Sequence, residues 1–154
     1  MKKFKLMLID DNFNDRKDAY FNIFSSERFE IIPVESYTEF KQKVQNTPVD
    51  AYIVDAFLDT KDWRDIGTAD VLFLKHLTSP PREAPVFLVS QKWGDLGATE
   101  ILTKVNQQKH IEVLRYIAFE EFDNAPKVKE NEKLPYAVEV LRSKIIDDLS
   151  IWHE

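Results

Sequence analysis

The chain has 154 residues, 44% of them hydrophobic and 31% charged, with a formal net charge of −6 and a pI near 5.2. That length fits one domain, 1–154, with a core of its own, and the acidic balance argues against a protein that tracks nucleic-acid phosphates, which carries a basic face. The absence of cysteine excludes a disulfide framework, a thiolate metal site and a thiol nucleophile, as suits a reducing compartment.

The start, Met1-Lys2-Lys3-Phe4-Lys5, is basic, but the apolar run behind it is too short for a signal peptide or a membrane span and ends in acids. A cytoplasmic protein with no membrane segment is expected. Residues 5–9 read as a buried strand, continuously apolar as parallel strands with two covered faces are. The strand runs into adjacent carboxylates: Leu6-Met7-Leu8-Ile9-Asp10-Asp11-Asn12. Asn12 or Asn14 is placed to cap a helix whose apolar residues are Ala19, Tyr20, Ile23 and Phe24. Residues 29–34 form a second strand. Ser36-Tyr37-Thr38-Glu39 matches a capping box, a hydroxyl at the cap and a carboxylate three residues on. The helix behind it carries Tyr37, Phe40 and Val44 at helical spacing and stops before Pro48.

Residues 49–54 make a third strand, which ends at Asp55. A polar loop, 56–67, follows, with Trp63 in its middle, and then a helix over 68–77. Residues 85–89 are a fourth strand ending at Ser90. Gly94 and Gly97 flank the start of another helix; neither they nor Gly67 can build a P-loop or a dinucleotide loop. A fifth strand fits 113–119, a charged loop 123–133, and the last helix opens with Pro135. Its apolar positions Val138, Leu141, Ile145, Leu149 and Trp152 step by three or four, so one face packs on the sheet, and Trp152, which continues it, reads as core or dimer packing.

Strand and helix alternate five times. This implies an α/β fold, a doubly wound five-stranded parallel sheet with helices on both faces. In such sheets the ligand crevice lies outside the carboxyl ends of the strands, at a topological switch point. Asp10, Asp11, Asp55 and Ser90 all fall at predicted carboxyl ends. Taken singly, the acid pair reads as a solvated turn, and Ser90 as an ordinary residue after a strand. Taken together they read as a cleft. Three carboxylates in one cleft require compensation, and hard oxygen ligands without cysteine or a paired histidine favour Mg²⁺. His76, His110 and His153 are scattered and read as surface or helix-end residues. With a cation bound, an aspartate can attack a phosphoryl donor. The Ser90 hydroxyl can then bond a phosphoryl oxygen and report it to its own loop.

These motifs, in this order, resemble those of the receiver domain of two-component response regulators, a (βα)5 flavodoxin-like fold. Leu-Met-Leu-Ile-Asp10-Asp11 is similar to the acidic pair on the first strand, Ala-Tyr-Ile-Val-Asp55 to the third strand with its phospho-accepting aspartate, and Val-Phe-Leu-Val-Ser90 to the fourth strand with its switch hydroxyl. The resemblance implies Mg²⁺ held by Asp10, Asp11, Asp55 and the backbone carbonyl of Phe57. It makes Tyr116 the candidate switch aromatic, with a half-buried strand tyrosine as the plainer reading. It also implies a histidine kinase or phosphotransfer protein as donor and a downstream protein as partner.

The chain departs from that pattern in several places. The family carries a lysine at the end of the fifth strand, which bonds the phosphoryl group and the acceptor carboxylate. Here the region reads Tyr116-Ile117-Ala118-Phe119-Glu120-Glu121-Phe122 and has none. Lys92 and Lys127 are the candidate substitutes. The loop after Asp55 lacks the family's usual proline and carries an insertion around 59–65. Two rivals follow: a pseudo-receiver acting by protein contact without phosphorylation, and a Mg²⁺-dependent phosphohydrolase or nuclease using the same acids to activate water. Against the last, there is no Asp-x-Asp motif and no basic substrate-binding cluster. The expectation is a signalling domain rather than an enzyme.

Overall fold

The computed structural model describes residues 3–24, 27–55, 84–90, 103, 113–118 and 136–153, and these hold five strands. The strands are β1 (Phe4–Ile9), β2 (Phe29–Val34), β3 (Ala51–Asp55), β4 (Val86–Ser90) and β5 (Val113–Ala118). Three helices stand among the described residues: α1 (Phe13–Ile23), α2 (Tyr37–Asn46) and α3 (Tyr136–Trp152). The strands form one sheet in the order β2-β1-β3-β4-β5, and every neighbouring pair is parallel. The predicted doubly wound sheet is therefore present, and the predicted strand ends shift by only a residue or two. The predicted loop over 56–67, the helix over 68–77, the helix after Gly94 and the loop over 123–133 lie outside the described residues.

Alternation along the strands sorts their side chains into two cores. Met7 and Ile9 of β1, Tyr52 and Val54 of β3, and Val86 and Leu88 of β4 pack with Phe40 and Val44 of α2. Leu6 and Leu8, Ala51 and Ile53, and Phe87 and Val89 pack on the other face with Tyr20 and Ile23 of α1 and with Leu141, Ile145 and Leu149 of α3. Both faces are covered, which is why the central strands read as unbroken apolar runs. Pro33 sits in β2, opposite Leu8. A residue without an N–H is tolerated there because β2 is an edge strand.

The ends of the helices are held by side chains. At α2 the Glu39 N–H donates to Ser36 Oγ at 3.1 Å, the forward half of the predicted capping box. The return bond reaches one residue further back, from the Glu35 N–H to Glu39 Oε1 at 2.9 Å. Burial pushes the Glu39 carboxyl up, but the Glu35 N–H and Lys43 outweigh it and hold the group below its usual range. The last turn of α1 has no basic residue. It borrows one from α3: Arg142 donates to the carbonyls of Ile23 at 2.7 Å and Asn22 at 2.5 Å. Arg115 of β5 grips Asp148 of α3 with two bonds, 2.7 and 3.1 Å.

The apolar stripe of α3 ends sooner than its sequence period implies. Leu141, Ile145 and Leu149 are buried, but Trp152 is 37% exposed and its ring meets His153 edge-on, 4.9 Å between centroids. Of the two readings of Trp152, core and dimer packing, its exposure corrects the first. His153 is the helix-end residue expected, with Nε2 2.9 Å from the Asp50 carbonyl and its ring stacked on Phe4.

Ile145→Ala should cost about 2–5 kcal/mol by urea unfolding, because a fully buried branched side chain is removed from between α3 and the sheet. Ser36→Ala should cost about 1 kcal/mol through the lost cap. Because the folded Glu39 carboxyl is lowered, its contribution is present above the ordinary carboxylate range and lost as pH falls through the folded value. Urea midpoints of the wild type and Glu39→Gln should therefore converge on acidification.

Candidate functional site

The site begins where β1 stops. The Asp10 N–H still donates to the Val34 carbonyl, at 3.1 Å, so the residue keeps its strand geometry one step beyond the last ladder position. Its side chain then turns the chain: Asp10 Oδ1 accepts the Asn12 N–H at 2.8 Å, and the Asp10 carbonyl accepts the Phe13 N–H at 3.2 Å. Asn12 stands at the N-cap of α1, but its side chain makes no capping bond. The Asn14 N–H and side-chain amide reach Glu35 instead, at 3.0 and 3.4 Å. The expected asparagine cap is corrected on this point. Asp10 and Glu35, acids at the carboxyl ends of β1 and β2, satisfy the amides at the start of α1.

Parity decides where the acids point. Asp10 continues the series Leu6, Leu8, and Asp55 the series Ala51, Ile53, so both lie on the face covered by α1 and α3. Asp10 is fully buried and Asp55 is 4% exposed. Two buried carboxylates on one face need a positive neighbour or strong donors, and α1 supplies both. Arg16 Nη1 lies 3.3 Å from Asp10 Oδ2 and 3.2 Å from Asp55 Oδ2, bridging the ends of β1 and β3. One turn further on, the Tyr20 hydroxyl donates to the same Asp10 oxygen at 2.6 Å.

Burial disfavours the charged guanidinium of Arg16, but Asp10 and then Asp55 outweigh it and push its pKa above the ordinary arginine value. The Tyr20 hydroxyl is driven well above the usual phenol range, by burial first and by the Asp10 carboxylate second. Both effects favour the protonated hydroxyl, the form that donates to Asp10.

Asp11 is half-buried and completes the cluster. Asp10, Asp11 and Asp55 each place a carboxylate oxygen within 4.8 Å of the others. Such a set of hard oxygens fits Mg²⁺ in donor chemistry. It fits less well in charge balance, because Arg16 already stands between two of the three acids.

Of the residues expected from the sequence, the structure brings together Asp10, Asp11 and Asp55. Ser90 ends β4, one step beyond the residue that pairs with Asp55, and itself pairs with Ala118. Tyr116 lies on β5 opposite Leu88. Phe57, Trp63, His76, Lys92, His110, Lys127 and the acids Glu120 and Glu121 lie outside the described residues. Sequence reasoning missed Arg16 and Tyr20. A signal was present: they are four residues apart on α1, hence on one helix face, and Tyr20 was already assigned to the buried side.

Tyr20→Phe removes a buried bond to a carboxylate and leaves the ring in place. It should cost about 1.5–3 kcal/mol in urea unfolding, with little change in the far-ultraviolet circular dichroism spectrum.

By sequence, the chain matches no family model and no curated protein. By structure, it is similar to a response regulator from Thermotoga maritima, with 12% identity and a TM-score of 0.62 over 96% of this chain and 98% of that one. It is similar also to the signal receiver domain of an HD domain-containing protein from Pseudomonas fluorescens Pf-5, with 15% identity and a TM-score of 0.64 over 98% of both chains. A CheY-like response regulator receiver domain protein from Methanospirillum hungatei JF-1 aligns with 13% identity and a TM-score of 0.59 over 96% of this chain and 94% of that one. The chain therefore has the fold of response regulator receiver domains, as its strand motifs implied.

Proposed function

We propose that this chain is a receiver-like signalling domain whose acidic cleft is the point of input. The observation that carries the reading is the convergence of Asp10, Asp11 and Asp55 at the carboxyl ends of β1 and β3. In the order β2-β1-β3-β4-β5 the chain reverses direction of travel across the sheet between those two strands, so the acids sit at the switch point. In this reading Asp55 is the phospho-acceptor. One of its carboxylate oxygens attacks the phosphorus of a phosphohistidine on a histidine kinase or phosphotransfer protein, the N–P bond breaks, and an acyl phosphate forms while the imidazole leaves. Asp10, Asp11, Asp55 and the Phe57 carbonyl would hold Mg²⁺, which when bound offsets charge on the phosphoryl oxygens. Ser90 and Tyr116, on adjacent strands, relay the change to a downstream protein. The setting is the cytoplasm, and no helix among the described residues is long and apolar enough to cross a membrane.

One observation favours a second reading, the pseudo-receiver. Arg16 bridges Asp10 and Asp55, and the fifth-strand region 116–122 has no lysine. A cleft held by its own arginine supports the same protein contacts without phosphoryl transfer. Nothing among the described residues favours the phosphohydrolase or nuclease.

The test is exposure to beryllofluoride, or to acetyl phosphate, with Mg²⁺, read by amide NMR and intact mass. The receiver reading expects an adduct at Asp55, lost in Asp55→Asn, with amide shifts spreading to Ser90. No adduct and no shifts at millimolar reagent would establish the pseudo-receiver in its place. Sustained release of phosphate from simple phosphoesters would overturn both.

A further inference from the structure

The position of Arg16 has a consequence for the cation itself. Asp10 Oδ2 accepts from both Arg16 and Tyr20, and Asp10 Oδ1 accepts from the Asn12 N–H. The carboxylate expected to help hold a metal thus has both oxygens engaged by the protein. The second acid, Asp55, meets the same guanidinium nitrogen at 3.2 Å. A magnesium ion sits about 2.0–2.1 Å from its ligand oxygens. An ion drawing on Asp10 and Asp55 would therefore share oxygens with Nη1 and stand against a fixed positive charge in a buried setting, where repulsion is strong. Ion and guanidinium oppose one another at those two acids.

Of the three side chains, Arg16 is the most exposed. Its side chain is 16% exposed, whereas that of Asp10 is fully buried and that of Asp55 nearly so. It projects from the first turns of α1, with Asp15 before it and Lys17 after it exposed to solvent. A long, flexible cationic side chain reaching into a cleft from its rim can swing out without unfolding α1.

We propose that Arg16 is a resident counter-cation that competes with divalent cations for the acidic cleft, so that a metal ion binds only by displacing it. This rests on the cation reading of the cleft given above. Arg16 is a positioning residue in this scheme, since it acts through Asp10 and Asp55. Without metal it keeps the two carboxylates together, and with metal it is expelled towards solvent.

The test is a Mg²⁺ titration of the wild type, Arg16→Gln and Arg16→Lys, followed by the amide shifts of Asp11 and Asn12 and by isothermal calorimetry. Arg16→Gln should bind Mg²⁺ roughly tenfold or more tightly than the wild type, because the competing charge is gone. Arg16→Lys keeps a positive charge and should stay near the wild type. In the Arg16→Gln background, Asp10→Asn should abolish the gain, which locates the ion in the cleft. Thermal melting covers the case in which the glutamine variant folds poorly: without Mg²⁺ it should melt below the wild type, and Mg²⁺ should raise its midpoint more than that of the wild type. Mg²⁺ affinity left unchanged or weakened by Arg16→Gln would overturn the competition while leaving the cation reading intact. Failure of both the wild type and Arg16→Gln to bind Mg²⁺ at tens of millimolar would overturn both.

Discussion

The structure turns on a guanidinium between two buried carboxylates. Asp10 and Asp55 belong to different strands, and each would be costly to bury alone. Arg16 joins them through one nitrogen, 3.3 and 3.2 Å away, and Tyr20 adds a 2.6 Å bond to the acid with the least access to water. Unit charges 4 Å apart interact by roughly 4 kcal/mol at an effective dielectric constant of 20. That gain is set against the cost of desolvating both acids, so the net contribution to stability is modest. Its larger effect is on geometry. The bridge fixes how α1 lies across the ends of β1 and β3, and with it the shape of the only acid cluster of ligand type among the described residues.

That bridge follows from topology and parity together. The sheet order puts β1 beside β3, and the register Ile9 opposite Val54 brings the residues after them, Asp10 and Asp55, side by side. Strand alternation turns both towards α1 rather than α2. The connection from β1 to α1 is a tight turn built on Asp10 itself, so Arg16 returns over the strand ends within six residues. A shift of the β1–β3 register by one residue would send one carboxylate to the α2 face and leave Arg16 with a single partner.

Much of this was legible in the sequence. The strands could be read because both faces of the sheet are covered and the apolar runs are unbroken. The capping box at Ser36 and Glu39 and the Leu141–Ile145–Leu149 stripe were legible because they are local patterns. Asp10, Asp11 and Asp55 were placed correctly because a carboxylate ending an apolar strand has few places to go in a doubly wound sheet. The bridge was hidden because Arg16 is one basic residue on an otherwise charged helix, flanked by Asp15, Lys17 and Asp18. Only its distance from two acids, one of them 39 residues away, distinguishes it. The core reading of Trp152 misled for the opposite reason: the helical period continues, but burial does not.

The arginines also connect the cleft to the far side of the fold. Arg16 ties the start of α1 to β1 and β3, Arg142 of α3 holds the last carbonyls of α1, and Arg115 of β5 holds Asp148 on α3. The helix over the acidic cleft is thus gripped at one end by the site and at the other by the helix that packs on β5. Contiguity alone transmits nothing; transmission requires an element with two arrangements that both ends bias. Arg16 provides such an element, seated between the acids or withdrawn to the rim. By linkage, any ligand of the cleft that favours the withdrawn arrangement disfavours the seated one by the same free energy with which a seated Arg16 opposes that ligand. The charge that makes the metal-free cleft stable is therefore the charge through which the cleft can report that its contents have changed.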